Sequence, residues 1–243
     1  MNPGTESWIG VLGGGQLGRM FALEARRMGY KVLKWTGGDV SGAAYTADLV
    51  VEDPFDSSSA LKRFIDRVDV ATVEFENVPR GLLEQIEEHI PLLPGSRTVA
   101  TCQHREREKT FLATNGISCA RFEIVENIDQ LKAALATLPG DAILKTAEFG
   151  YDGKGQRVIA QGTGQSELES IWAELGPRAV LEEKIALQAE LSVIVARATD
   201  GQVVTYEAVE NSHRNHILDL TIAPSRLPPD CLAEAQTVAI AVA

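Results

Sequence analysis

Two spacings of apolar residues alternate along the first third of this chain. Trp8–Leu12 is a short apolar run that reads as a buried strand. In residues 16–28, Leu17, Met20, Phe21 and Ala25 fall at helical spacing. Lys31–Trp35 reads as a second strand and residues 48–51 as a third, after a loop rich in glycine and small residues. Residues 57–68 carry Leu61, Phe64 and Ile65 on one helical face. Residues 70–75 form a fourth strand, and residues 79–89 a helix whose Pro79 suits a first turn, where a missing N–H costs nothing. Repeated strand–helix units point to a doubly wound parallel α/β layer.

Leu92-Leu93-Pro94-Gly95-Ser96 punctuates the chain, and a domain boundary is expected there. Residues 97–115 read as one helix ending at Gly116, a residue suited to the position after a C-cap. Strands then follow at 121–125, 142–145, 157–160 and 179–183, with helices at 128–138 and 166–175. Residues 190–197 and 203–208 read as an antiparallel pair joined through Asp200-Gly201, a hairpin signal. Residues 213–216 read as part of a polar loop. A last helix begins near Pro229 and still runs at Val242, so the chain is expected to stop inside a domain.

Composition narrows the classes. Of 243 residues, 44% are hydrophobic and 23% charged, as in ordinary globular proteins. A formal net charge of -11 argues against nucleic-acid and anionic-membrane partners, while a small anionic ligand needs only local positive charge. Cys102, Cys119 and Cys231 are scattered singly, with neither metal-ligand spacing nor the look of a disulfide framework. They read as reduced thiols in a cytoplasmic protein. The start of the chain lacks a secretory pattern, and no apolar run reaches the length of a membrane span.

Candidate chemistry sits in four places. Gly13-Gly14-Gly15-Gln16-Leu17-Gly18 contains GxGxxG between an expected strand and an expected helix, where backbone N–H groups and the helix dipole favour a phosphate. A nicotinamide dinucleotide site also wants an acid ending the second strand, and Lys34-Trp35-Thr36 offers none. Another phosphate ligand, or a turn needed only for packing, remains open. Glu74-Phe75-Glu76-Asn77 ends a strand, where two acids and an amide suit an amine or a ribose, or simply a solvated edge. Lys145 ends an apolar strand ahead of a glycine-rich loop, residues 148–156. Its amides could wrap phosphate oxygens, the alternative being a hairpin with a charged tip. Glu182, Glu183, Lys184 and Ile185, with Glu190 beyond, could offer an adenine edge and a ribose acceptor, or form an acidic surface. His213 and His216 flank Arg214 and are close enough in sequence to be metal ligands, although surface histidines are more common.

Taken together, GGGQLGRM, EFENVP, FGYDGKGQ, LEE, ELSVIVAR and ENSHRNHILD resemble, in order and spacing, the 5-(carboxyamino)imidazole ribonucleotide synthetases of the ATP-grasp superfamily. The resemblance covers essentially the whole chain. It implies an N-terminal doubly wound parallel (pre-ATP-grasp) domain over residues 1–96. Linker helices and a smaller lid subdomain would follow over 97–182, and the start of a larger α+β subdomain over 183–243. It implies that ATP phosphorylates bicarbonate to carboxyphosphate, which carboxylates the exocyclic amine of aminoimidazole ribonucleotide, in a homodimer. Lys145 and Arg105 would contact phosphates. Gly150, Tyr151, Asp152, Gly153, Lys154, Gly155 and Gln156 would form the phosphate flap. Glu182, Glu183, Lys184 and Ile185 would hold adenine, Glu190 the ribose, and His213 would lie near the phosphates. Tyr151 and Asp152 would face the imidazole nucleotide, with Glu74 and Asn77, and Gly15, Gln16 and Leu17 would lie at its phosphate side. The family has Asp before its arginine where this chain has His104. Family members continue for more than a hundred residues, and magnesium ligands are expected in that further part, none of them within this chain. Another ATP-grasp ligase of purine metabolism, a nicotinamide-dependent oxidoreductase and a non-catalytic nucleotide-binding remnant are the competing readings.

Overall fold

The protein is described by a computed structural model covering residues 7–39, 44–148 and 154–243. It divides into two compact units, Met1–Gln103 and His104–Ala243.

In the first unit, β1 (Trp8–Leu12) leads into α1 (Gln16–Arg27) and β2 (Lys31–Trp35). A short 3-10 turn, Ala44–Thr46, precedes β3 (Leu49–Val51). Then come α2 (Ser58–Ile65), β4 (Val70–Val73), α3 (Arg80–Glu87) and α4 (Ser96–Cys102). The four strands pair in parallel in the order β3-β2-β1-β4. Apolar residues fill both faces, as a parallel sheet covered by helices requires. Leu12, Trp35, Phe64, Leu83 and Ile86 form the larger core, and Val11, Val32, Ala22 and Ala25 the smaller one under α1. The doubly wound layer is therefore as expected.

Two local expectations change. Helix α1 packs through Gly18, Ala22 and Ala25, leaving Leu17, Met20 and Phe21 exposed. Small side chains let this helix approach the sheet closely, and that contact outweighs the burial of its larger residues. Residues 97–115 form two helices rather than one. The second, α5 (Arg105–Thr114), begins after His104, whose backbone is extended at φ -133° and ψ 110°. The Arg105 N–H donates to the Ala147 carbonyl at 2.9 Å, a tertiary bond that a continuous helix would forfeit.

Helix α5 ends as its sequence suggests. Gly116 adopts φ +70°, and the Ile117 N–H reaches the Leu112 carbonyl at 2.9 Å, closing a Schellman motif. Next come β5 (Phe122–Val125), α6 (Ile128–Thr137), β6 (Ala142–Thr146), β7 (Gln156–Ile159), α7 (Gln165–Leu175) and β8 (Ala179–Glu183). The strands pair antiparallel in the order β5-β8-β6-β7. One face is covered by α6 and α7 through a core that includes Leu131, Leu144, Leu168 and Leu181.

Beyond β8, residues 190–197 split into β9 (Glu190–Ser192) and β10 (Val195–Arg197). Strand β10 makes the expected hairpin with β11 (Val203–Thr205). Strand β9 pairs instead with β12 (Val209–Arg214), which also pairs with β13 (Ile217–Ile222). The stretch expected in a polar loop thus belongs to a hairpin. Its turn is made by Asn215 and His216 at φ 53° and 65°, and Glu210–Arg214 of β12 are all polar or charged. Helix α8 (Pro229–Val242) closes the chain.

Candidate functional site

Alternation along the strands of the antiparallel sheet sorts its side chains. Ala179 and Leu181 of β8 and Ala142 and Leu144 of β6 enter the core beneath α6 and α7. Glu182 and Lys145 therefore emerge on the opposite face. The register pairs Lys145 with Val180 and Ile143 with Glu182, making Lys145 and Glu182 diagonal neighbours. Lys145 Nζ stands 3.0 Å from Glu182 Oε2. Lys109, on α5, reaches the same oxygen at 3.1 Å. Gln156 lies opposite Lys145 across β6–β7. A carboxylate only 7% exposed is costly to bury alone, and two ammonium donors on one oxygen offset that cost.

The start of α5 is tied to the root of the glycine-rich loop. Arg105 Nη1 donates to the Thr146 carbonyl at 2.6 Å. Thr146 Oγ1 donates to the Glu148 carbonyl at 2.9 Å, and the Thr146 N–H donates to the Gly155 carbonyl at 2.9 Å. His104 is buried; its Nε2 lies 3.7 Å from Glu148 Oε1, and its Nδ1 has no hydrogen-bond partner among the described residues. Lys154, Gly155 and Gln156 belong to the far root of this loop. Gly150, Tyr151, Asp152 and Gly153 lie outside the described residues.

After β8, the Glu183 N–H donates to the Arg121 carbonyl at 2.9 Å and the Lys184 N–H to the Asp141 carbonyl at 3.1 Å. Lys184 Nζ also reaches Asp141 Oδ2 at 3.3 Å. The Gln161 N–H, and then Lys184, hold the Asp141 carboxyl below its ordinary range. The Ile185 N–H has no partner among the described residues. Glu190, opening β9, and His213, on β12, meet through a 2.8 Å contact between Oε2 and Nδ1.

In the first unit the glycine motif closes on a side chain rather than on open space. The Gly15 N–H donates to Glu74 Oε2 at 3.0 Å, placing the carboxylate at the positive end of α1. A Cβ on Gly13, at φ +127°, would lie 2.3 Å from that oxygen, and one on Gly15 would lie 2.5 Å from Oε1. At Gly18 a Cβ would stand 3.1 Å from Glu74 Cγ. Gln16 and Leu17 open α1, and Leu17 is exposed. Asn77 Nδ2 is 3.5 Å from Glu76 Oε1. Below the loop, Lys34 is fully buried; desolvation lowers its ammonium pKa, and the Glu74 charge opposes that shift.

Sequence reasoning missed Lys34 and Lys109. A lysine inside the apolar strand KVLKW was a visible signal for Lys34, whereas nothing local marks Lys109. Among the described residues, no group of three or more His, Cys, Asp or Glu side chains stands together as a metal site. No described helix is long and apolar enough to cross a membrane.

A family model described as the ATP-grasp domain matches residues 110–243, more than half of the chain. The chain belongs to the ATP-grasp family. A model for the ribonucleotide synthetase preATP-grasp domain matches residues 7–103. The parallel sheet is thus a pre-ATP-grasp domain, followed by an ATP-grasp domain. The chain is 39% identical to the bifunctional purine synthesis protein purC/E of Dictyostelium discoideum, covering 98% of this chain and 24% of that one. It is 36% identical to the N5-carboxyaminoimidazole ribonucleotide synthase of Bacillus subtilis, covering 97% and 61%. The crystal structure of N5-carboxyaminoimidazole synthetase from Staphylococcus aureus complexed with ADP superposes with a TM-score of 0.89 at 31% identity, covering 99% of this chain and 65% of that one. This ATP-grasp chain therefore spans less than two thirds of the length of these relatives.

Proposed function

We propose that the protein takes part in the ATP- and bicarbonate-dependent carboxylation of 5-aminoimidazole ribonucleotide, yielding the 5-carboxyamino nucleotide, ADP and phosphate. The observation that carries the nucleotide part is Lys145, anchored by Glu182 on the face of the sheet away from α6 and α7. Its relatives' names support the substrate.

A bicarbonate oxygen attacks the γ-phosphorus of ATP, and ADP leaves. The amine nitrogen then bonds to the carboxyl carbon of carboxyphosphate, and phosphate departs. Such chemistry rests on positioning and on offsetting phosphate charge. Lys145 and Arg105 supply cations to the phosphates. The glycine-rich loop that contains Gly150, Tyr151, Asp152, Gly153, Lys154, Gly155 and Gln156 is assigned to the same phosphates. The Ile185 N–H and the neighbouring carbonyls of residues 182–185 address the adenine edge. Glu190 accepts from the ribose, with His213 on the phosphate side. Glu74 and Asn77, with Gly15, Gln16 and Leu17, are assigned to the imidazole nucleotide. The Glu74 carboxylate at Gly15 favours a donor such as the amine there over a phosphate, which it would repel. Magnesium, when bound, would supply charge that offsets that of the phosphates, its ligands being expected in the further part of family members. A cytoplasmic homodimer completes the reading.

Calorimetric titration with ADP tests the site. Lys145→Ala removes a charge-assisted contact of about 1.5–3 kcal/mol, so affinity should fall roughly ten- to a hundred-fold. Lys132→Ala, on α6 and 4.0 Å from Glu169, should leave it unchanged. Equal effects at the two lysines would refute the site. Phosphate release from ATP that ignores aminoimidazole ribonucleotide and bicarbonate would refute the reaction.

A further inference from the structure

The Glu182 carboxylate has two lysine partners, and the second has no role in the site as described so far. Lys109 and Lys145 bond the same oxygen, Oε2, at 3.1 and 3.0 Å. The three side chains differ in depth: Glu182 is 7% exposed, Lys109 15% and Lys145 23%. Lys145 is thus the member nearest solvent, and Lys109 and Glu182 lie behind it. Lys109 follows Arg105 by one helical turn on α5, so a single helix supplies both cations to this region. Formally, one carboxylate between two ammonium groups leaves the cluster with a single positive charge. Remove Lys109 and the remaining pair is neutral. An approaching phosphate would then meet the Glu182 charge almost as strongly as that of Lys145. Glu182 would also hold Lys145 more tightly, because so little water reaches it to replace the lost donor.

We propose that Lys109 is a positioning residue that frees Lys145 to engage phosphate, by sharing the Glu182 carboxylate and leaving the cluster net positive. The inference rests on Lys145 being a phosphate ligand, and it adds how the charge of that ligand is maintained. Lys109 itself touches no phosphate; it acts through Glu182.

The test is calorimetric binding of ADP and, separately, of adenosine to the 243-residue chain. Lys109→Met should weaken ADP by about ten-fold, as the charge-assisted contact from Lys145 is weakened, and leave adenosine unchanged. Lys109→Arg, which keeps the charge, should bind ADP nearly as the parent does. Adding Glu182→Gln to Lys109→Met restores the single positive charge and should recover most of the lost affinity for ADP. If Lys109→Met does not fold, Lys109→Gln gives the same comparison. Parallel losses for ADP and adenosine would overturn the proposal, because they would mean a structural role. Failure of Glu182→Gln to rescue would overturn the charge argument. If Lys145→Met weakens ADP and Lys109→Met does not, the inference fails while the nucleotide site stands. If Lys145→Met has no effect either, the site reading falls with it.

Discussion

Gly15→Ala tests whether the glycine motif is shaped by Glu74. Gly15 sits at φ -76° and ψ -168°, a conformation open to alanine, so backbone strain contributes nothing. The new Cβ would lie 2.5 Å from Glu74 Oε1 and 3.3 Å from Cδ. The carboxylate must retreat by about 1 Å to reach ordinary van der Waals separation. That movement lengthens the 3.0 Å bond from the Gly15 N–H beyond hydrogen-bonding range. A bond to a charged acceptor is worth about 1.5–3 kcal/mol, and the unfolded-state gain of glycine to alanine returns about 0.4–1 kcal/mol. The net loss should be about 1–2 kcal/mol. Glu74→Ala removes the same bond and also withdraws the negative charge that opposes desolvation of Lys34. The double variant should therefore be less destabilised than the sum of the singles by about 1 kcal/mol or more. Urea unfolding followed by tryptophan fluorescence measures this. A Trp172→Phe background leaves Trp8 and Trp35, both in the first unit, as reporters. Additivity to within about 0.5 kcal/mol would refute the contact between Gly15 and Glu74.

Two further outcomes concern the second unit. The bidentate hydrogen bond from Arg178, at 2.7 and 2.8 Å, holds Glu106 below its ordinary value of 4.5. A depressed folded value stabilises above the unfolded pKa and is lost as pH falls through the folded one. Glu106→Gln should therefore melt below the parent near neutral pH, with the gap closing under pH 4.5; a gap independent of pH would refute the pairing. Gly116→Ala adds a Cβ that meets nothing within 4 Å, so its cost is the left-handed backbone alone, about 1–2 kcal/mol. Thermal melting should show Gly116→Asn recovering part of that loss, and an alanine variant as stable as the parent would refute the assigned C-cap.

Local periodicity carried most of the elements. Strands β1, β2 and β8 fall where their apolar runs place them, and Ser57 caps α2 by accepting from the Ala60 N–H. These features depend on near neighbours in the chain, so the sequence alone determined them, and with them the doubly wound first domain. Residues 213–216 escaped that reading because polar side chains on exposed strands resemble a loop. Their hairpin is set by pairing with β9, which lies about twenty residues earlier. Which face of α1 packs was likewise undecidable locally: apolar size favoured Leu17, Met20 and Phe21, but close approach to the sheet selected Gly18, Ala22 and Ala25. The break at His104 answers to Ala147, far along the chain. Folding brings Glu74 against the glycine motif across 59 positions, a contact the motif itself does not announce. Lys109 and Lys145 share one oxygen of Glu182 because helix α5 and strands β6 and β8 converge on one sheet face. Sequence spacing records which residues an element contains; which charges meet is decided by strand register and helix docking, long-range contacts that no local pattern encodes.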